Sequence, residues 1–257
     1  SSMTSNNTPG GVKSDETLLT IIETVRERNG DTISALASDL DMAKSTIHSH
    51  LKTLEQHGFV YKEGGEYTIG YRFLDYGIWA RNQMDLFQVA KPRLQELADE
   101  TGYKVWCVIE RQGKAVYLYG VEGESPIKTY AREGGTTELH YLAAGKAILA
   151  HLPEAKRESI IGVDTLPNKT SSTITDPDEL RDELEAVRER GAAYNIGEAL
   201  EGLNAVGAPI TRVEEGVHGA ISLSGPANHL TTKELQGKYV ERVLKKRNEI
   251  EINMRHI

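Results

Sequence analysis

Apolar residues recur at helical spacing three times within the first sixty positions. Leu18, Ile21, Ile22 and Val25 make one stripe, on a helix that Ser14 and Thr17 can cap and that Arg28-Asn29-Gly30-Asp31 ends. Ile33, Leu36, Ala37 and Leu40 make a second, and Ile47, Leu51 and Leu54 a third. Only Asp41-Met42-Ala43 separates the last two helices, so the pair reads as a helix-turn-helix. Gly58 then supplies a helix stop, and the β-rich runs 59–62 and 66–69 flank Gly64-Gly65 as a hairpin. Three helices followed by a hairpin predict a winged helix-turn-helix over 14–70.

The third helix has an unusual outer face. With Ile47, Leu51 and Leu54 turned inward, Lys44, Ser45, Thr46, His48, Ser49 and Lys52 are left outside, and every one can donate a hydrogen bond. No acid lies between Asp41 and Glu55 in a chain with 38 Asp and Glu. Such a face suits phosphates and base edges. Lys44 at the helix N-terminus would hold a phosphate, and Lys52 a flanking one. Ser45, Thr46, His48 and Ser49 would lie nearest the bases, with Tyr61 and Lys62 of the wing on the adjacent backbone. The overall charge of −8 opposes this, and the first 80 residues hold seven Lys and Arg against eleven acids. An acidic reading head fits a salty cytoplasm, where phosphate attraction is screened, or else a winged helix that binds a protein partner instead of DNA.

Beyond the head, Phe73, Leu74, Gly77, Ile78 and Ala80 predict a helical linker over 71–84. A further helix over 86–100, with Val89, Leu94, Leu97 and Ala98 inward, carries Pro92 and is expected to break or kink near Ala90-Lys91. Helices here suit a dimer interface, since a reader of this class covers two half-sites. From 85 to 257 the pattern is β-hairpins (103–110 with 114–121, and 204–212 with 217–224), a strand at 126–132, and helices at 141–151, 154–161, 177–190 and 230–250. That order implies an α+β fold with an antiparallel sheet.

Composition narrows the function classes. Hydrophobic residues make up 39% of 257, enough for two cores, and no apolar run is long enough to span a membrane. Ser1-Ser2-Met3 looks like a tag remnant, and residues 1–13 read as a disordered tail without the apolar stretch of a signal peptide, which points to a cytoplasmic protein. A single cysteine, Cys107, excludes an internal disulfide and a multi-thiolate metal site. Asn168-Lys169-Thr170 is a chance match to a glycosylation acceptor. No cofactor is called for.

The run Ile33-Ser34-Ala35-Leu36-Ala37, then Ala43 to His48, Leu51 to Leu54, His57-Gly58-Phe59-Val60 and Tyr67-Thr68-Ile69-Gly70 resembles the DNA-binding domain of IclR-type transcriptional regulators. The resemblance continues through His140 to Ala150, Arg190 to Leu203, Ala208-Pro209-Ile210 and Ser222 to Pro226, and so covers nearly the whole chain. It implies a GAF-like effector domain that binds an organic acid, aromatic acid or sugar derivative and alters operator affinity, in a dimer or dimer of dimers. By position, the resemblance places Thr129, Thr137, Ala143, Ala144, Asn195, Ala205, Ser222 and Ser224 around the effector. Asn195 stands where the family often has an acid, and Ala205 where it often has cysteine, so this pocket is less acidic than the pattern. The residues agree chemically: Ser222 and Ser224 share one face of a strand. Amides at Ala143 to Gly145 would suit an anion if they open a helix.

Enzymatic readings fit less well. Gly145-Lys146 ends like a phosphate loop, but His140 replaces the leading glycine and Ala147 the hydroxyl residue. Ser222-Leu223-Ser224-Gly225 lacks the first glycine of a nucleophile elbow. Methionine-sulfoxide reduction needs resolving thiols. His48 and His50 lack a third metal ligand, and His140, His151, His218 and His229 are scattered.

Overall fold

The computed structural model describes residues 11–124 and 131–256. The chain divides into two compact units between Ala80 and Arg81.

The first unit is built from α1 (Lys13–Glu27), β1 (Asp31–Thr32), α2 (Ile33–Asp39), α3 (Lys44–Gln56), β2 (Val60–Glu63) and β3 (Glu66–Ile69). The predicted stripes meet in its core: Ile21, Val25, Leu36, Ile47 and Leu51 are fully buried, joined by Val60 from the wing. Asp41 takes a left-handed conformation (φ 50°) that turns the chain from α2 into α3, and the Met42 amide donates to the Ala37 carbonyl at 3.0 Å. The short β1 pairs with β3, tying the start of α2 to the wing. Ser14 does not cap α1. The helix begins at Lys13 with Val12 at its N-cap, two positions before Ser14, and the Thr17 hydroxyl donates back to the Lys13 carbonyl. Next comes α4 (Arg72–Asn82), in which no residue is buried; Phe73 and Tyr76 near its start pack on Phe59.

The second unit opens with α5 (Asp85–Thr101), which continues through Pro92 instead of breaking. Proline removes one helical donor there, but Val89, Ala90, Leu94 and Leu97 are buried on both sides of it and hold the helix. The sheet has the order β6-β5-β4-β9-β8-β7, antiparallel throughout, from β4 (Lys104–Arg111), β5 (Lys114–Val121), β6 (Thr136–Thr137), β7 (Ala193–Ile196), β8 (Leu203–Arg212) and β9 (Gly216–Pro226). The strand expected at 126–132 falls largely outside the described residues. Odd positions of β4 and β9 (Val105, Cys107, Ile221, Leu223) enter one core with α5 and α10 (Val240–Met254). Even positions (Trp106, Val108, Ala220) enter a second core with α6 (Ala143–His151) and α8 (Pro177–Arg190). The remaining helices are α7 (Glu154–Ile161) and α9 (Thr232–Glu234), the latter joined to α10 by a π-helical turn, Leu235–Tyr239, within the predicted final helix.

Candidate DNA-reading face and sensor site

In the first unit, burial of Ile47, Leu51 and Leu54 fixes the roll of α3, so that Lys44, Ser45, Thr46, His48, Ser49 and Lys52 are all exposed. The N-cap residue, Ala43, offers no side-chain acceptor, and the first helix-closing bonds come from the Thr46 and Ile47 amides to the Ala43 carbonyl. Among the described residues the Lys44 and Ser45 amides have no partner, and they stand at the positive end of the helix dipole. The Ser49 hydroxyl donates to the Ser45 carbonyl at 2.9 Å. Tyr61 and Lys62 are exposed on β2, where Tyr61 contacts Tyr71 and the Lys62 ammonium lies 5.4 Å over Tyr67. The wing tip itself is acidic, with Glu63 directly opposite Glu66.

In the second unit, strand register collects most of the expected effector residues on the α6 side of the sheet. Asn195, Ala205, Ser224 and Lys104 form one row across β7, β8, β9 and β4, and Ala193, Gly207, Ser222 and Trp106 form the next. A Cβ at Gly207 would lie 2.7 Å from the Ala143 carbonyl carbon and the Ala144 nitrogen, so the first turn of α6 rests directly on β8. Ala143 and Ala144 are buried there, and the N-cap residue Leu142 gives the helix no side-chain cap. Thr137 sits on β6, hydrogen-bonded through its hydroxyl to that of Tyr141. Thr129 lies outside the described residues. Ser222 and Ser224 are both buried, and among the described residues neither hydroxyl has a hydrogen-bond partner.

Asn195, in the first of these rows, also organises the chain that follows it. Its side-chain oxygen accepts from the Glu198 amide at 2.8 Å and the Ala199 amide at 3.4 Å, which folds the turn after β7. That turn carries Glu198 to Lys146, whose ammonium lies 2.7 and 3.0 Å from the two carboxylate oxygens and 3.6 Å from Glu183. Burial raises the Glu198 pKa above the ordinary carboxylate value, opposed by the attraction of Lys146. The Gly145-Lys146 pair is thus a helix-to-turn anchor. Two further residues at the site escaped notice in the sequence. Lys104 is buried with its ammonium 4.6 Å over the Trp106 ring and paired to Glu122, and Trp106 packs on Tyr117 at 4.8 Å. Their alternation with Val105 and Cys107 was the available signal. Cys107 faces the opposite core, where burial pushes its thiol up to about 12.

A winged helix-turn-helix followed by an antiparallel sheet packed with helices is the architecture of a ligand-sensing transcriptional regulator. Residues 17–64 match the IclR helix-turn-helix domain and residues 80–251 the bacterial transcriptional regulator IclR C-terminal domain, and the chain belongs to the IclR family. It is 35% identical to the probable HTH-type transcriptional regulator ArcR of Halobacterium salinarum, across 97% of this chain and 96% of that one. Its fold is similar to that of Thermotoga maritima IclR, with a TM-score of 0.81, 28% identity and coverage of 93% and 98% of the two chains. An IclR homolog from Microbacterium hydrocarbonoxydans, solved with 4-hydroxybenzoate, has the same fold at 20% identity, with a TM-score of 0.80 over 93% and 98% of the chains. The family and these relatives are regulators of transcription and not enzymes. Among the described residues no helix is long and apolar enough to cross a membrane, and no cluster of His, Cys, Asp or Glu could hold a metal ion.

Proposed function

We propose that this protein regulates a catabolic or metabolic operon, reading operator DNA with α3 and releasing or engaging it in response to a small organic acid. The observation that carries the reading is the exposed, acid-free and uncapped start of α3. Lys44 and the free first-turn amides take a phosphate, Lys52 a flanking phosphate, and Ser45, Thr46, His48 and Ser49 face base edges. Tyr61 and Lys62 touch the backbone from the side of the wing, behind its acidic tip.

The effector lies beside the first turn of α6, against Ser222 and Ser224 of β9, with Thr137, Ala143, Ala144, Asn195 and Ala205 around it. Asn195 shapes the site through the Glu198 turn. The resemblance to the family supports an organic or aromatic acid or a sugar derivative. Two heads are needed to cover two half-sites, and the exposed Tyr71, Leu74, Ile78 and Trp79 on and beside α4 offer an apolar surface for a second copy. The acidic wing favours a second reading, a winged helix that docks a protein. Operator binding measured with and without organic acids separates the two. By linkage, an acid that changes DNA affinity must itself bind more or less tightly in the presence of operator, by the same factor. A chain that binds acids but no DNA would support the second reading.

A further inference from the structure

Lys104 poses a physical problem. It stands on β4 beside Ser224 of β9, and its side chain is only 7% exposed, whereas its partner Glu122 is 58% exposed. A desolvated ammonium needs an anion, but the carboxylate that fills that place is largely solvated, so another anion can take its place at little cost. The Trp106 ring beneath the ammonium keeps it fixed and partly satisfied. Ser222 and Ser224 lie on the same sheet face, in the two rows that also hold Trp106 and Lys104.

We propose that Lys104 is the anion receptor of the sensor site and that Glu122 is a built-in counter-ion which the effector displaces. The proposal rests on the sensor reading above and adds the residues that receive the ligand's charge. The effector is a carboxylate whose charged group pairs with the Lys104 ammonium and accepts from the Ser222 and Ser224 hydroxyls. Its body lies against the Trp106 and Tyr117 rings, where burial pushes the Tyr117 hydroxyl up to about 12 and keeps it neutral. No covalent change is involved; one ion pair is exchanged for another. Glu122 immediately follows β5, whose last residue, Val121, stays paired with Val105, so the exchange moves the side chain and leaves the strand in place.

Trp106 supplies the readout. In the full-length protein carrying Trp79→Phe, its fluorescence is titrated with acetate, benzoate and 4-hydroxybenzoate, and with their neutral amides, alongside thermal unfolding. The acids are expected to bind and the amides to bind at least about tenfold more weakly. Lys104→Met should weaken the acids by at least about tenfold, while Glu122→Gln, which leaves the receptor intact and removes its competitor, should tighten them by up to about fivefold. Opposite shifts in the two variants are what a purely structural ion pair would not give. Acid affinity unchanged in Lys104→Met, or weakened in Glu122→Gln, overturns the proposal and leaves the sensor reading standing. Amides that bind as well as the acids do the same. Silence of the whole series in both readouts overturns the proposal, and the operator-binding test above then decides the sensor reading.

Discussion

Replacing Lys146 by Met leaves the Glu198 carboxylate buried without its partner. Lys146 is 2% exposed, the Glu198 side chain 9%, and the two make a bidentate contact at 2.7 and 3.0 Å. Glu183, the third member, stays partnered by Arg190 at 2.6 Å and needs no rescue. Removing one side of a buried pair costs about 3–5 kcal/mol, whereas replacing both by apolar groups of similar size is often neutral. Lys146→Met should therefore lose about 3–5 kcal/mol in urea unfolding, and Lys146→Met with Glu198→Leu should recover most of it. The pH dependence follows from sign. Burial already holds the native Glu198 pKa above the ordinary value, and loss of Lys146 raises it further. The native state then binds a proton that the unfolded state does not, so the penalty is full above the raised pKa and shrinks as pH falls through it. The single variant should look progressively less damaged as pH falls toward the ordinary carboxylate range. Additive losses in the double variant, or a penalty independent of pH, would refute the reasoning.

Other expectations follow from single contacts. Gly207→Ala places a Cβ 2.7 Å from the backbone of Ala143 and Ala144, so it should destabilise the second unit by about 1–3 kcal/mol and weaken effector binding, as measured by urea unfolding and ligand titration. Cys107 is buried with its thiol pushed up to about 12, so a thiol reagent near neutral pH should label it only as the second unit unfolds. Labelling of the native protein at the rate of a free thiol would contradict that placement.

How much could be seen in the sequence depended on the range of the interactions. The stripes Ile21–Val25, Leu36–Ala37 and Ile47–Leu51–Leu54 are local periodicities, and they define the first core. The hairpin strands of the second unit were visible for the same reason, from runs of β-formers flanking short turns. The two-residue β1 and β6 and the four-residue β7 were not, because so few residues show no period and are held by neighbours distant in sequence. Pro92 and Ser14 misled because local rules were outweighed, the first by buried apolar residues on either side and the second by a helix that starts two positions earlier. At the sensor site, strand spacing put Ser222 and Ser224 together. It could not show Lys146 meeting Glu198 fifty-two positions away, or Lys104 folded onto Trp106, since both depend on register between strands and the seat of α6.

The claim that most needs testing is that α3 reads DNA in a chain of net charge −8. The measurement is affinity for DNA from immediately upstream of the protein's own gene, across a salt series, for the natural sequence and Lys44→Ala. Binding should weaken as salt rises, and the variant should bind less tightly with a logarithmic salt slope shallower by about 0.9, the loss of one phosphate contact. Binding that is absent at every salt concentration, or equal in the two proteins, would contradict the account.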